Sequence, residues 1–226
     1  MRVMPSTHPA RTSGRRKVLT RLGSLGLAAW IAMPALAAPR STALAPMTDG
    51  PFYPPTRWRD RWPDWDADLT LVRRGGRELR AQGEWLDLQG QVVDTEGRAI
   101  DNAEVEIWQC DAQALYRHPR VSEEGDPGFA GFGATRSDKE GRVRFRTIRP
   151  VPYPGRTPHI HVKLRHGSFG ELTSQLFVKD DAGNARDFLW RAVPATERDA
   201  LEMQLRPAEP GTGLRWQVRH ALVVPA

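Results

Sequence analysis

The sequence predicts an all-β protein, an antiparallel sandwich core with an irregular N-terminal arm and long loops. Three observations carry this. Short stretches of apolar and polar residues alternate along residues 86–224, turn-forming clusters separate them, and only one stretch begins like a helix. Several short strands at this spacing argue for a sandwich.

The strands are taken in order. Leu86 to Val93 alternates as a half-buried strand does, and Asp94-Thr95-Glu96-Gly97 then signals a turn. Ala103 to Trp108 alternates again. Further strands are expected over Val143–Ile148, His159–Leu164, Gln175–Val178 and Leu214–Val224. Turns at Asp138-Lys139-Glu140-Gly141 and Asp181-Ala182-Gly183-Asn184 punctuate them. The helix-like stretch is Thr196–Leu205, with Thr196 as its cap. Residues 38–80, rich in Pro, Trp and charge, read as the irregular arm, and residues 81–226 as the domain proper. Within the arm, Trp58, Trp62 and Trp65 are expected to pack against the core.

Charge first suggests a polyanion as partner, since the 226 residues carry a formal charge of +6. Its distribution removes that reading. Residues 1–37 hold six basic residues and no acid, and the remainder carries 27 of each sign. A balanced domain has no electrostatic case for nucleic acid.

Residues 1–37 read instead as an export signal. Arg15 and Arg16 stand just before a mildly apolar run from Leu22 to Met33. Ala35-Leu36-Ala37 then supplies small residues at signal-peptidase spacing, with Ala38 as the expected new first residue. The run is shorter than the roughly 20 apolar residues a spanning helix needs, so no stable membrane span is expected after processing. The pair resembles a twin-arginine signal, although Gly14 and Val18 depart from its preferred residues. The address implied is the periplasm or the exterior of a bacterium. Cys110 is the one cysteine; it excludes an intramolecular disulfide and is expected to pack as a small hydrophobe.

Candidate chemistry concentrates between Trp108 and His161. In a strand, His159 and His161 project from one face about 6.5 Å apart, so both imidazoles can reach one ion. The same pattern also occurs on solvated strand faces, and zinc or copper would accept two histidines. The preceding loop holds Pro150, Pro152, Pro154 and Pro158, which stiffen it, and carries Tyr153 and Arg156 toward the histidines. Tyrosine occurs only at positions 53, 116 and 153. His118, His166 and His220 have no motif around them and read as surface residues.

Trp108-Gln109 followed by Tyr116 resembles a segment of the intradiol ring-cleavage dioxygenases. Their Arg-x-Pro-His-x-His strand is matched by Arg156-Thr157-Pro158-His159-Ile160-His161, and their Gly-Pro-Phe-Tyr motif by Gly50-Pro51-Phe52-Tyr53. The match runs in order from about residue 48 to about residue 180, and the motifs resemble those of the protocatechuate 3,4-dioxygenase type.

The resemblance implies a mononuclear non-haem iron(III) held by Tyr116, Tyr153, His159 and His161. It implies a catecholic substrate opened with O2 between its two hydroxylated carbons to a muconate-type diacid, and assembly as an oligomer. Tyr153 would be the ligand that leaves when substrate binds. Arg156 would stand beside the ring, and Gln175 would line the pocket. Gly155 departs from the family, where a bulky aromatic often follows Tyr-Pro; that bears on the choice of substrate. A non-catalytic transthyretin-like or carbohydrate-binding sandwich is the rival reading, and it gives no reason for both tyrosines beside a His-x-His.

Overall fold

The computed structural model describes residues 41–55, 65–121 and 124–226. The expected export signal, Trp58 and Trp62 lie outside the described residues. In chain order the strands are β1 (Leu71–Arg74), β2 (Arg77–Arg80), β3 (Trp85–Asp94), β4 (Glu104–Trp108), β5 (Phe132–Arg136), β6 (Arg142–Ile148), β7 (His159–His166) and β8 (Gly170–Val178). They are followed by β9 (Glu202–Met203), β10 (Arg206–Pro207) and β11 (Trp216–Val224). The protein is all-β. Among the described residues no helix is long and apolar enough to cross a membrane.

Two sheets make the sandwich. One has the order β10-β11-β3-β6 and the other β5-β4-β7-β8-β9. Alternate residues of each strand enter the space between them: Leu86, Leu88 and Val92 from β3, Ile160, Val162 and Leu164 from β7, with Phe145 and Leu176 also buried there. This is the period-2 pattern read from the sequence, and it fixes register because a one-residue slip would turn every apolar side chain outward. Most ladders are antiparallel, but β11 runs parallel to β3 over its whole length, and β9 parallel to β8.

The structure adds elements the sequence pattern did not show. Within the arm, β1 and β2 form a hairpin around Gly75 and Gly76, both with positive φ, the backbone a tight two-residue turn requires. Its strands are four residues long and mostly charged, so no alternation announced them. β5 is five residues long and carries Gly133, where a Cβ would stand 2.4 Å from the carbonyl oxygen of Asp66. Trp65 packs against Phe132 at 5.8 Å, in the aromatic cluster that holds Trp108 and Tyr116 rather than in the core between the sheets.

The expected helix at Thr196–Leu205 is corrected. Its first part is a 3-10 turn over Ala195–Leu201, Pro194 rather than Thr196 precedes it, and the chain then enters β9. The α-helix is α1 (Phe188–Ala192), whose first N–H groups at Leu189 and Trp190 donate to the Asp187 carboxylate. At five residues it is too short for a helical period to be read. The arm also ties the two sheets: Leu44 N–H donates to Val223 of β11 at 2.9 Å, and Met47 N–H to Thr173 of β8 at 2.8 Å.

Candidate active site

The site lies on the side of β7 that faces away from the core. Both faces of this strand are covered, so His159 and His161 are buried although they point away from Ile160 and Val162. Register places Trp108 of β4 beside His161, and Gln175 of β8 on its other side. Trp108 lies flat on the His161 ring, centroids 4.6 Å apart. The two imidazoles stand 4.9 Å apart, centroid to centroid.

Tyr116 comes from the loop after β4. Gln109 ties the strand end to β6, donating to Ile148 O at 3.1 Å and accepting from the Thr147 hydroxyl at 2.9 Å. Asp111 then folds the loop back by accepting the N–H groups of Gln113 and Leu115, while its second oxygen accepts Asp126 N–H at 2.7 Å. The turn delivers the Tyr116 ring to within 6.3 Å of His161 and 5.7 Å of Tyr153.

Tyr153 and Arg156 flank a tight turn. Pro154 and Gly155 occupy its corner, and Gly155 takes φ +82°, the left-handed value that the third position of a type II turn demands. The departure at Gly155 thus has a local cause: the short loop needs a residue without a Cβ penalty there. Tyr153 then lies 5.5 Å from His159, ring to ring, so the four expected ligand side chains come together.

Their polar atoms have few partners. The Tyr116 hydroxyl, His159 Nε2 and His161 Nδ1 are buried without a hydrogen bond among the described residues. His159 Nδ1 lies 2.6 Å from the Thr157 carbonyl oxygen, which assigns the proton to Nδ1 and leaves the Nε2 lone pair free. Burial, then the positive charge of Arg156, lowers His159 to about 4. Burial, then His159 and Arg156, also drives His161 well below its ordinary value. Both imidazoles are therefore neutral at pH 7 and able to donate to a metal. Burial raises the Tyr116 phenol well above its usual range, with Tyr153 adding to the shift. Burial raises Tyr153 as well, against an opposing pull from Arg156. A bound cation would reverse this for both phenols, since it stabilises the phenolate.

Orphaned buried groups cost free energy unless something fills the gap. Two neutral imidazoles and two phenols suit a hard, highly charged cation. Among the described residues no group of three His, Cys, Asp or Glu side chains converges, so the third donor that zinc normally takes is not supplied by those types.

Arg156 is half-buried, with 9% of its side chain exposed, and is not a plain surface residue. It donates to Asp187 at 2.8 Å, to Tyr153 at 3.4 Å and to the Gln175 carbonyl oxygen through a short contact, and its guanidinium lies 5.4 Å from the Phe188 ring. The Gln175 amide nitrogen has no partner and is buried. Asp187, which the sequence reading passed over, holds Arg156, accepts Thr157 N–H at 3.0 Å and caps α1. The available signal was an aspartate immediately before the apolar run Phe188-Leu189-Trp190.

Cys110 lies beneath this cluster. Burial, then Asp111, pushes its thiol up to about 12, so it remains a protonated packing residue. His118 is not a plain surface residue, since its ring meets Phe52 edge-on at 5.8 Å. His220 is corrected too: it is half-buried, with Nε2 2.9 Å from Ala200 O.

A family model described as Dioxygenase matches residues 57–221. The chain belongs to the intradiol dioxygenase family. Among curated members, the protocatechuate 3,4-dioxygenase beta chain of Burkholderia cepacia is 35% identical over 128 residues, covering 51% of this chain and 54% of that one. Hydroxyquinol 1,2-dioxygenase of Corynebacterium glutamicum is 32% identical over 98 residues, 35% of this chain and 31% of the other. The chain thus spans about half or less of the curated relatives' length. Among solved structures, the dioxygenase domain of a dioxygenase and carbohydrate-binding fusion from a Streptomyces species superposes with a TM-score of 0.58 at 26% identity. That match covers 81% of this chain and 99% of the other. The 3-chlorocatechol 1,2-dioxygenase of Rhodococcus opacus shares the fold, with a TM-score of 0.61 at 22% identity over 80% of this chain and 72% of the other.

Proposed function

We propose that this intradiol family member is a non-haem iron(III) dioxygenase that opens a catecholic ring between its hydroxylated carbons with O2, giving a muconate-type diacid. The observation that carries the reading is the convergence of Tyr116, Tyr153, His159 and His161 with three of their polar atoms buried and unpartnered. The names of the relatives, which act on protocatechuate and hydroxyquinol, support catechols as the substrate class.

Iron(III) would supply Lewis acidity and covalency with the catecholate, which make the ring reactive toward O2. Two phenolates would offset two of its three charges while both histidines stay neutral. The chain's own groups do the rest. Tyr116 is buried and fixed by the Asp111 loop, which suits a permanent ligand. Tyr153 is half-buried, on a turn; held as a phenolate by the ion, it would take a proton from an incoming catechol and leave as the neutral phenol. Arg156 cannot swing with it, because Asp187 and Gln175 hold its guanidinium. A fixed positive charge there stabilises negative charge developing on the ring, an effect whose loss typically costs about 10²–10³ in rate. The unpartnered Gln175 amide is free to donate to substrate.

The visible absorption spectrum of the purified, iron-loaded protein tests this. A tyrosinate-to-iron band that shifts on anaerobic addition of catechol is expected. A colourless protein that takes up no iron and ignores catechols overturns the proposal. Export by residues 1–37, and with it a periplasmic or external location, is part of the same reading.

A further inference from the structure

Beyond the histidines, the outward face of β7 continues with Lys163 and Arg165, and it is here that the Asp49–Tyr53 segment is fastened. Lys163 keeps only 3% of its side chain exposed, and its neighbour across the sheet, Glu106, 2%. Lys163 Nζ donates to Asp49 Oδ2 at 2.7 Å, and the Thr173 hydroxyl donates to Asp49 Oδ1 at 2.7 Å. At the other end of the segment, the Tyr53 hydroxyl donates to Glu106 Oε2 at 2.6 Å and accepts from Arg165 at 2.9 Å. Lys163 Nζ also lies 4.0 Å from the centre of the Tyr53 ring.

What lies between the two fastenings touches the site. A Cβ on Gly50 would stand 3.6 Å from His161 Cε1. The Phe52 ring stacks on Tyr116 at 4.5 Å and 17°, and Tyr53 meets Trp108 edge-on at 4.9 Å. Burying an ammonium and a carboxylate is a weak route to stability, because desolvation offsets the attraction between charges. A fixed set of charge-assisted hydrogen bonds does hold a loop in one place.

We propose that Lys163 and Glu106 are positioning residues which, through Asp49 and Tyr53, hold Gly50–Phe52 as a wall against His161 and Tyr116 and so set catechol affinity. The part concerning affinity rests on the iron and catechol reading; the fastening itself does not.

Two readouts separate these. In the metal-free protein, Lys163→Met and Glu106→Gln should each speed amide exchange across residues 47–53 at least tenfold, while residues 160–164 keep wild-type protection. In the iron-loaded protein, the same variants should keep their iron content but bind catechol anaerobically about 10–100-fold more weakly, as expected for loss of a hydrogen bond to a charged group. Lys163→Arg, which keeps a cation facing Asp49, should recover part of the affinity. Unchanged exchange in residues 47–53 overturns the fastening. Faster exchange with unchanged catechol affinity overturns the wall. A wild-type protein that takes up neither iron nor catechol overturns the underlying reading, and the metal-free exchange data distinguish that from failure of the fastening. Should Lys163→Met not fold, Thr173→Val removes the other donor to Asp49 without stranding a buried charge, and the same outcomes apply.

Discussion

Tyr153 and Arg156 hold one another by three hydrogen bonds: each backbone N–H donates to the other's carbonyl, and the guanidinium returns to the phenol at 3.4 Å. A candidate metal ligand and the charge proposed to stand beside the substrate are therefore placed by one four-residue turn.

Gly155 at φ +82° is the hinge of that turn, and the space around it is open. Gly155→Ala meets no clash yet forces an alanine into the left-handed region, at about 1–2 kcal/mol. Denaturant unfolding should show a loss of that size. Turnover should fall further than iron content, because both histidines and Tyr116 remain in place.

Tyr116→Phe should separate stability from function. The hydroxyl is buried without a partner, so removing it from the metal-free protein should leave stability unchanged or raise it by about 1 kcal/mol. The same change should abolish ring cleavage and shift and weaken the charge-transfer band, since Tyr153 alone would then supply a tyrosinate. A variant that turns over normally would refute the ligand assignment.

Metal-free stability should depend on pH through the histidines. The folded value of His159 is lowered to about 4, while an unfolded histidine titrates near 6.5. Between those values the unfolded chain binds the proton and the folded chain does not. Stability is thus fully present above about pH 6.5 and drains away as pH falls toward 4, by about 3 kcal/mol from His159 alone. His161 acts in the same direction. Urea melts at several pH values across this window would show the midpoint falling; a flat midpoint would contradict the assignment.

Asp187→Asn keeps an acceptor for α1 but removes the charge opposite Arg156. Breaking one side of a buried pair should cost about 3–5 kcal/mol. The arginine would lose its fixed place, so kcat should fall more than catechol affinity. Calorimetry and steady-state kinetics on one preparation would check both.

Replacing Arg15 and Arg16 by lysines should leave a precursor in the cytoplasm, detectable by fractionation. Export undiminished by that change would refute the twin-arginine reading.

Legibility in the sequence followed burial and period. β3, β4, β6, β7 and β11 were readable because one face of each is apolar at every second residue, and the His-x-His spacing carried its own geometry. The remaining site residues converge from separate loops, which no local period records. Tyr116 and Tyr153 stand 37 positions apart in the chain yet 5.7 Å apart in space, and only the resemblance joined them beforehand. Asp187 left one local sign, its place just before the apolar run of α1, whereas its bonds to Arg156 and Thr157 depend on the finished fold.

The hydrogen bond from Leu44 to Val223 and the parallel seating of β11 on β3 join stretches made early and late in synthesis. Such pairings raise contact order and delay completion. While residues 216–224 are still within the ribosome, β3 has β6 on one side only and the arm lacks its tie to Val223, although β4, β7 and β8 can already pair. The sheet that carries His159 and His161 can therefore form before the sheet that faces it is complete.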